Sequence, residues 1–290
     1  MSLGILLSLG VALLFGCYLY ALKRYFSQYP SPVFVVLTYG LAFPIYLPIV
    51  LLNDGAWLPG TKPLLSGGLM LGIAALSGLA LIAFFAAIRR GDVSYVSPIA
   101  KLVPVFVLPI EVLGLGVELS PIQIGGVVVA TVAIYVANWQ GGALLEPIQR
   151  AANSPAAQLA LVSAATYGVV DVGKRIMMQE LSIEPTTFLP VMFAGVSIIL
   201  LPLALRCDWP ATWRSDLPKF AAIALILAAG NHAILLAMIE LPASIVSPLI
   251  NMQAVVAVVL GGILLREAYF RTRLVAAALA VGGVAMISLG

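Results

Sequence analysis

The chain has 290 residues, of which 62% are hydrophobic and only 9% are charged. Soluble domains carry about 25% charged residues, so this composition, with a mean hydropathy of +1.11, excludes a soluble globular protein and indicates an integral membrane protein. The formal net charge of +3 is too small for a basic nucleic-acid-binding surface.

Ten apolar runs of about 20 residues follow one another along the chain, the length that a membrane-crossing helix needs. Stretches such as "GGVVVATVAIYVA" lack the alternation of apolar and polar residues typical of membrane barrels. We therefore predict an all-α membrane protein with about ten transmembrane helices, at residues 3–22, 32–52, 66–88, 93–115, 121–139, 157–177, 187–205, 218–239, 243–265 and 272–289.

The second half of the chain repeats the first. "YVSPIAKLVPVFVLPIEVLGLG", from Tyr95, aligns with "IVSPLINMQAVVAVVLGGILLR", from Ile245, at an offset of 150 residues and with Val-Ser-Pro in common. The sequence thus predicts two five-helix units, residues 1–140 and 157–290, joined by a linker at 141–156. Because five is odd, the second unit enters the membrane from the opposite side, and the repeats are inverted. Inverted repeats are typical of secondary transporters with a binding site near the bilayer midplane.

The repeated order of a Ser-Pro start, a Gly- and Leu-rich stretch, a glutamate and a Gly-containing helix, as in "GVELSPIQIGGVVVATVAIYV", resembles the EamA-type module of the drug/metabolite transporter superfamily. The resemblance covers nearly the whole chain and occurs twice. The family's usual Glu-Arg pair is missing, since Leu119 follows Glu118 and Ala268 follows Glu267. The resemblance implies a multi-pass exporter of a small molecule. We expect it in a bacterial inner membrane, as a monomer or homodimer.

Charge in the loops predicts an orientation. With loops numbered in chain order, the odd loops carry eleven Lys and Arg residues and the even loops only Lys62. Short cytoplasmic loops collect Lys and Arg, so the count predicts both termini outside. The family resemblance implies both termini inside, and the sequence leaves the two orientations open.

Polar residues concentrate in one layer of the predicted membrane region. A charge at a helix centre costs about 2.5–3.5 kcal/mol on insertion scales, so it is expected to face a cavity or a partner. Lys101 and its repeat mate Asn251 each lie eight residues into their helices, about 12 Å from opposite surfaces. The other polar residues at similar depth are Asp171, Asn231, His232 and Gln253. We predict that this layer is a substrate-binding site.

The two charged residues of this layer each have a functional and a structural interpretation. Lys101 binds a substrate carboxylate or phosphate, or it pairs with Asp171. Asp171 binds a substrate amine or carries a proton, or it pairs along its own helix with Lys174 and Arg175. Glu111, at the depth of Lys174 and Arg175, is predicted to form a salt bridge at the rim of the site.

The neutral residues of the layer also have two interpretations. His232 is the only histidine, and it either carries a proton or acts as a structural donor. Asn231, Asn251 and Gln253 donate hydrogen bonds either to the substrate or between helices. Tyr18 and Tyr167, which are repeat-related to within a residue or two, are predicted to form part of the cavity wall.

Two Ser-Pro pairs occupy equivalent positions in the fourth and ninth predicted helices: Ser97-Pro98 and Ser247-Pro248. Proline removes a backbone donor and kinks a helix, and the freed carbonyl needs a polar partner. We predict that these pairs are hinges or line the cavity, and a simple packing kink is the alternative.

Motifs for enzymatic chemistry are missing from the sequence. It contains no glycine-rich phosphate loop, paired-cysteine metal spacing or His-Glu-x-x-His motif. We therefore expect no catalytic residues, no metal and no cofactor, with proton coupling as one energy source. The prediction is a gradient-driven exporter of a small polar or amphipathic metabolite, such as an amino-acid-like compound. Its rivals are a flippase for a lipid-linked sugar or lysolipid, and a receptor or membrane enzyme that transports nothing.

Overall fold

The computed structural model describes residues 2–52, 63–90, 96, 99–137, 154–253, 255–256 and 270–289. Within these ranges there are ten α-helices and no strand. The helices are α1 Leu3–Tyr25, α2 Ser31–Leu52, α3 Pro63–Ile88, α4 Val103–Pro109, α5 Pro121–Ala137, α6 Pro155–Gln179, α7 Pro185–Ala204, α8 Leu217–Glu240, α9 Ala243–Asn251 and α10 Phe270–Leu289. A π-helix, Ile110–Gly114, continues α4.

Six of the described helices are long and apolar enough to cross a membrane: α1, α2, α3, α6, α7 and α8. Their starts follow familiar sequence signals. The Ser2 and Ser154 hydroxyl oxygens accept backbone N–H groups in the first turns of α1 and α6. Proline occupies a first-turn position of α6, α7 and α8, where its missing N–H costs nothing. The predicted all-α membrane class is confirmed.

Helices of the two halves pack in symmetry-related pairs. α5 packs on α10, α2 on α7 and α4 on α9. The contact of α1 with α8 is matched by that of α3 with α6, and the contact of α4 with α6 by that of α1 with α9. Exchanging each helix with the one five places later reproduces this set, as two inverted five-helix repeats require.

Glycines allow the closest of these approaches. A Cβ atom on Gly126 of α5 would lie 2.8 Å from the carbonyl oxygen of Gly283 on α10. A Cβ atom on Gly168 of α6 would lie 2.8 Å from the Cβ of Phe106 on α4, and one on Gly16 of α1 would meet the Val256 side chain. Small residues at such crossings let membrane helices pack backbone to backbone.

The fourth predicted segment is broken, which corrects the continuous helix expected at 93–115. Leu102 has φ −77° and ψ 19°, outside the helix. Its N–H bonds to the Ile99 carbonyl at 3.1 Å, and the Val105 N–H bonds to the Leu102 carbonyl at 3.0 Å, each three residues back. Pro104 has no N–H to bond the Ala100 carbonyl, so the regular ladder ends here.

The ninth segment loosens at the equivalent place without a full break, because the Met252 backbone stays in the α region and its N–H bonds to the carbonyls of Pro248 and Leu249, both at 3.2 Å. α9 ends at Asn251, and Met252, 150 residues after Leu102, forms a turn. The predicted hinge residues Ser97 and Pro98 lie outside the described residues, as do residues 141–153 of the predicted linker. Pro248 lies within α9, in its second turn.

Candidate functional site

A cavity of about 300 Å³ lies between the two halves. Its walls come from α1, α2, α3, α6, α8 and the end of α9, together with the break before α4. The residues predicted for the site that line this cavity are Tyr18, Lys101, Tyr167, Asp171, Asn231, Asn251 and Gln253. Residues far apart in the sequence therefore meet where helices of the two halves face each other.

Lys101 reaches the cavity through the break in its helix. Lys101 and Val103 line the cavity, whereas Leu102 lines an apolar groove on the other side of the segment. No carboxylate among the described residues lies within ion-pair distance of the Lys101 ammonium. The structural alternative, a pair between Lys101 and Asp171, is therefore not formed in the described structure.

Asp171 has two other partners. Its Oδ1 lies 3.5 Å from the Lys174 ammonium one turn later, as the helix-pair interpretation predicted. Its Oδ2 accepts a hydrogen bond from the Ser247 hydroxyl at 2.8 Å. Arg175 turns away from Asp171: its Nε lies 3.9 Å from the Glu111 carboxylate and its Nη1 lies 3.1 Å from that of Glu180.

Two cavity amides are held by their own helices. Asn231 Nδ2 donates to the Leu227 carbonyl at 2.9 Å, and Asn251 Nδ2 donates to the Ser247 carbonyl at 2.9 Å. Within the described residues, the amide oxygens of Asn231 and Asn251 and the whole Gln253 amide have no hydrogen-bond partner. These groups are oriented by the protein and retain capacity to bind a ligand.

The sequence pattern of the EamA-like transporter family matches residues 2–139 and 154–289, one match for each half. The chain belongs to the EamA-like transporter family. It is therefore an integral multi-pass transporter of the drug/metabolite transporter superfamily, whose members are not enzymes. A solved structure described as "Crystal structure of protein" has the same fold, with a TM-score of 0.78 and 18% identity over 99% of both chains. No curated protein matches the sequence.

His232 lies outside the cavity of this EamA-like transporter. Its Nδ1 is 2.5 Å from the Tyr46 hydroxyl, a contact that joins α8 to α2. Successive helical residues are about 100° apart, so His232 faces away when its neighbour Asn231 faces the cavity. The prediction that His232 lines the cavity is therefore not met in the described structure, where its ring contacts α2 instead.

Tyr39 of α2 and Lys174 of α6 line the cavity but were not predicted as ligands. Tyr39 lies eight residues after Ser31, at the same estimated depth as Lys101, so a search for hydroxyls at that depth would have found it. Lys174 was considered only as a helix partner of Asp171. It keeps that contact and also lines the EamA-like transporter's cavity.

Proposed function

We propose that this EamA-like transporter is a gradient-driven exporter of a small amphipathic anion or zwitterion, amino-acid-like in size and charge, in the plasma membrane of a bacterium. The observation that supports this proposal is the ammonium of Lys101, which lines a central cavity without an ion-pair partner among the described residues. A charge removed from bulk water needs a counter-charge, and a substrate carboxylate or phosphate supplies one.

The charges around the cavity favour a substrate that brings negative charge. Lys101 and Lys174 are cationic, whereas Asp171 is the one carboxylate among the described lining residues. Lys174 already pairs with Asp171, so Lys101 remains for the substrate anion. The free amide oxygens of Asn231 and Asn251 would accept hydrogen bonds from a substrate ammonium, which makes a zwitterion suitable.

Aromatic residues provide a surface for an apolar group of the substrate. Phe15, Tyr18, Tyr39, Phe84 and Tyr167 line the cavity beside the polar residues. Ligand pockets commonly measure about 300–1,000 Å³, so a cavity of about 300 Å³ suits a small metabolite. Because one chain forms the described lining, we propose the monomer as the transporting unit.

In the proposed mechanism, Asp171 carries the coupled proton. Its carboxylate lines the cavity and contacts Lys174, so protonation there would change the net charge that a substrate meets. His232 is less suited to this role, because it is bonded to Tyr46 outside the cavity.

A groove between α4 and α5 favours a second candidate, a flippase for a lysolipid or lipid-linked sugar. The groove measures about 390 Å³ and is lined by apolar residues that include Leu102, Pro104 and Val105. Since Lys101 and Val103 line the central cavity, only this short segment separates the cavity from the groove. A headgroup at Lys101 with a chain in the groove would suit an amphiphile.

Transport into proteoliposomes distinguishes the candidates. Purified full-length protein is reconstituted, a pH gradient is imposed, and uptake of labelled amino acids, organic acids and nucleosides is measured beside protein-free vesicles. Accumulation of an anionic or zwitterionic solute, abolished by collapsing the gradient, is the expected result. Scrambling of a fluorescent lysolipid without solute uptake would favour the flippase. If the protein shows neither solute uptake nor lipid scrambling, transport of these substrate classes is refuted.

A further inference from the structure

One side of the bundle, here named the even face, is where α6 and α8 end and where α1 and α9 begin. Glu111, in the π-helix after α4 of the first half, is fully buried there. Its Oε1 accepts the Ala243 N–H at 2.8 Å and its Oε2 accepts the Ser244 N–H at 2.7 Å. These are the first two residues of α9, in the second half. One carboxylate therefore caps a helix across the boundary between the repeats.

The burial of this carboxylate is compensated from two directions. The N-terminus of a helix carries partial positive charge and free N–H groups, which favour an anion. The Arg175 guanidinium adds a full positive charge 3.9 Å from Oε1, and Glu180 in turn holds Arg175 from the outside at 3.1 Å. Charge-assisted hydrogen bonds of this kind are among the stronger ones in proteins.

Other contacts on the even face join other pairs of helices. Gln179 Nε2 donates to the carbonyls of Met238 and Leu241 at 2.8 and 3.1 Å, but both sides belong to the second half. Glu240 accepts the Gly4 N–H at 2.7 Å across the repeats, and Glu240 itself is exposed. Among these contacts, Glu111 makes the one that is both buried and between repeats.

α9 connects this cap to the cavity. Its first residues bind Glu111, its middle carries Ser247, which bonds Asp171, and its last residue, Asn251, lines the cavity. One short helix therefore joins the Glu111 cap to the cavity wall, so a shift of α9 at the even face would also move the wall.

Resting on the proposed transport function, we propose that Glu111 is the latch of the even gate. Its carboxylate holds α9 against the first half, and the cavity opens to the even face only when the two N–H bonds break. In the aligned sequence of the second repeat, the residue that corresponds to Glu111 is Gly261, which has no carboxylate. The carboxylate is therefore present in one copy only, and the sequence provides no equivalent of Glu111 for the opposite face.

Ser244 supplies a reporter for the gate. It is fully buried, and its hydroxyl has no hydrogen-bond partner within the described structure, so Ser244→Cys removes no bond and keeps the backbone N–H that binds Glu111. The native thiols Cys17 and Cys207 are free and would be replaced by serine. The rate of maleimide labelling of this single cysteine, in purified full-length protein in detergent, then reports opening of the even face.

Glu111→Gln is the principal variant, since it keeps the shape but places an amide donor against backbone donors. We expect the labelling rate to rise about tenfold or more, because losing a charge-assisted hydrogen bond shifts the equilibrium between closed and open states by about that factor. Glu180→Gln is the matched control, because Glu180 also contacts Arg175 yet is 58% exposed and makes no described contact across the repeats. It should label at the parent rate.

Equal labelling in Glu111→Gln and its parent, or an equal increase in Glu180→Gln, would overturn the latch. If Glu111→Gln does not fold, Glu111→Asp tests the latch instead. Aspartate keeps the charge beside Arg175, but its side chain is one methylene too short to reach α9. The labelling rate should therefore rise above that of the parent, by less than about tenfold. A parent-like rate there contradicts the latch. Labelling needs no substrate, so the two proposals can fail separately. If Glu111→Gln raises the labelling rate but the protein transports nothing, the proposed function alone is refuted. If the protein transports but Glu111→Gln leaves the labelling rate unchanged, the latch alone is refuted.

Discussion

Lys101 and Asn251 occupy equivalent places in the two repeats, and the difference between them is informative. Lys101 precedes the helix break at Leu102, Asn251 is the last residue of α9, and both line the same cavity. Asn251 gives one N–H to the carbonyl of its own helix. Lys101 has no partner among the described residues. Duplication reproduced the position in the cavity, whereas the full backbone break and the charge are found in one copy only.

The comparison separates what the fold needs from what the substrate needs. The neutral Asn251 amide bonds the Ser247 carbonyl of its own helix and so places a polar group in the cavity without an added charge. A lysine at the same place adds the free-energy cost of removing an ammonium from water, and packing contacts do not offset that cost. We infer that Asn251 serves both structure and binding, while Lys101 is retained for binding.

Lys101→Met gives the largest expected effect. Methionine keeps the length and apolar stem but removes the charge, so the substrate anion loses its partner. Breaking a buried charge pair costs about 3–5 kcal/mol, and uptake of the anionic substrate in proteoliposomes should fall by about a hundredfold or more. Lys219→Met, at an exposed lysine of α8, is the control and should leave uptake unchanged.

Exchanging the two residues sharpens the comparison further. The double variant Lys101→Asn, Asn251→Lys moves the ammonium to the repeat-related position of the same cavity. If the cavity needs one cation and tolerates either half as its source, the double variant should transport better than Lys101→Asn alone. Uptake no better than that single variant would show that the position of the charge is fixed by other contacts.

Asn251→Ala should have a smaller effect. The change removes an amide whose oxygen is free in the described structure and whose N–H bonds Ser247. One neutral hydrogen bond is worth about 0.5–1.5 kcal/mol, so substrate affinity, measured by isothermal titration or by half-saturation of uptake, should fall about two- to tenfold. A loss as large as that of Lys101→Met would contradict the division of roles between the repeats.

The sequence predicted the helices and the layer of the site better than its contacts. Hydropathy and the 150-residue offset were enough for ten helices, and the polar layer they defined includes Lys101, Asp171 and Asn251, which line one cavity. Depth alone does not fix the side of a helix, which is why His232 was included wrongly and Tyr39 was missed. The cap joins Glu111 to two residues of α9 that lie 132 and 133 positions later in the chain, and no local sequence pattern predicts such a bond.

Packing offers a test in which the two repeats should respond alike. Gly168→Ala would place a Cβ 2.8 Å from that of Phe106, and Gly16→Ala would meet the side chain of Val256, 150 residues after Phe106. Overpacking costs about 1–3 kcal/mol, so each variant should lower the Tm of the detergent-solubilised protein. Gly10→Ala, with no atom within 4 Å of the new Cβ, should not lower it.

The smallest effect is expected on the face opposite the Glu111 latch. There the Tyr29 hydroxyl donates to Asp216 Oδ2 at 2.6 Å and the Lys219 ammonium donates to Oδ1 at 2.7 Å. The bond from Lys219, then that from Tyr29, lowers the pKa of Asp216 below its ordinary value. The Lys219 partner is 61% exposed, and ion pairs with an exposed partner contribute little to stability. Asparagine keeps an oxygen that can accept the Tyr29 hydroxyl, so Asp216→Asn should lower the Tm only slightly.

The pH dependence of that small effect shows whether charge is its source. Because the folded pKa of Asp216 lies below the unfolded value of about 3.9, its stabilisation is present above that pH and is lost as the pH falls through the folded pKa. The difference in Tm between the parent and Asp216→Asn should therefore be constant from about pH 5 to 7 and shrink in more acidic buffer. A difference that persists in acid would mean that shape, not charge, joins the repeats on this face. The two faces would then be closed by different physics, since a buried carboxylate at a helix N-terminus closes the other.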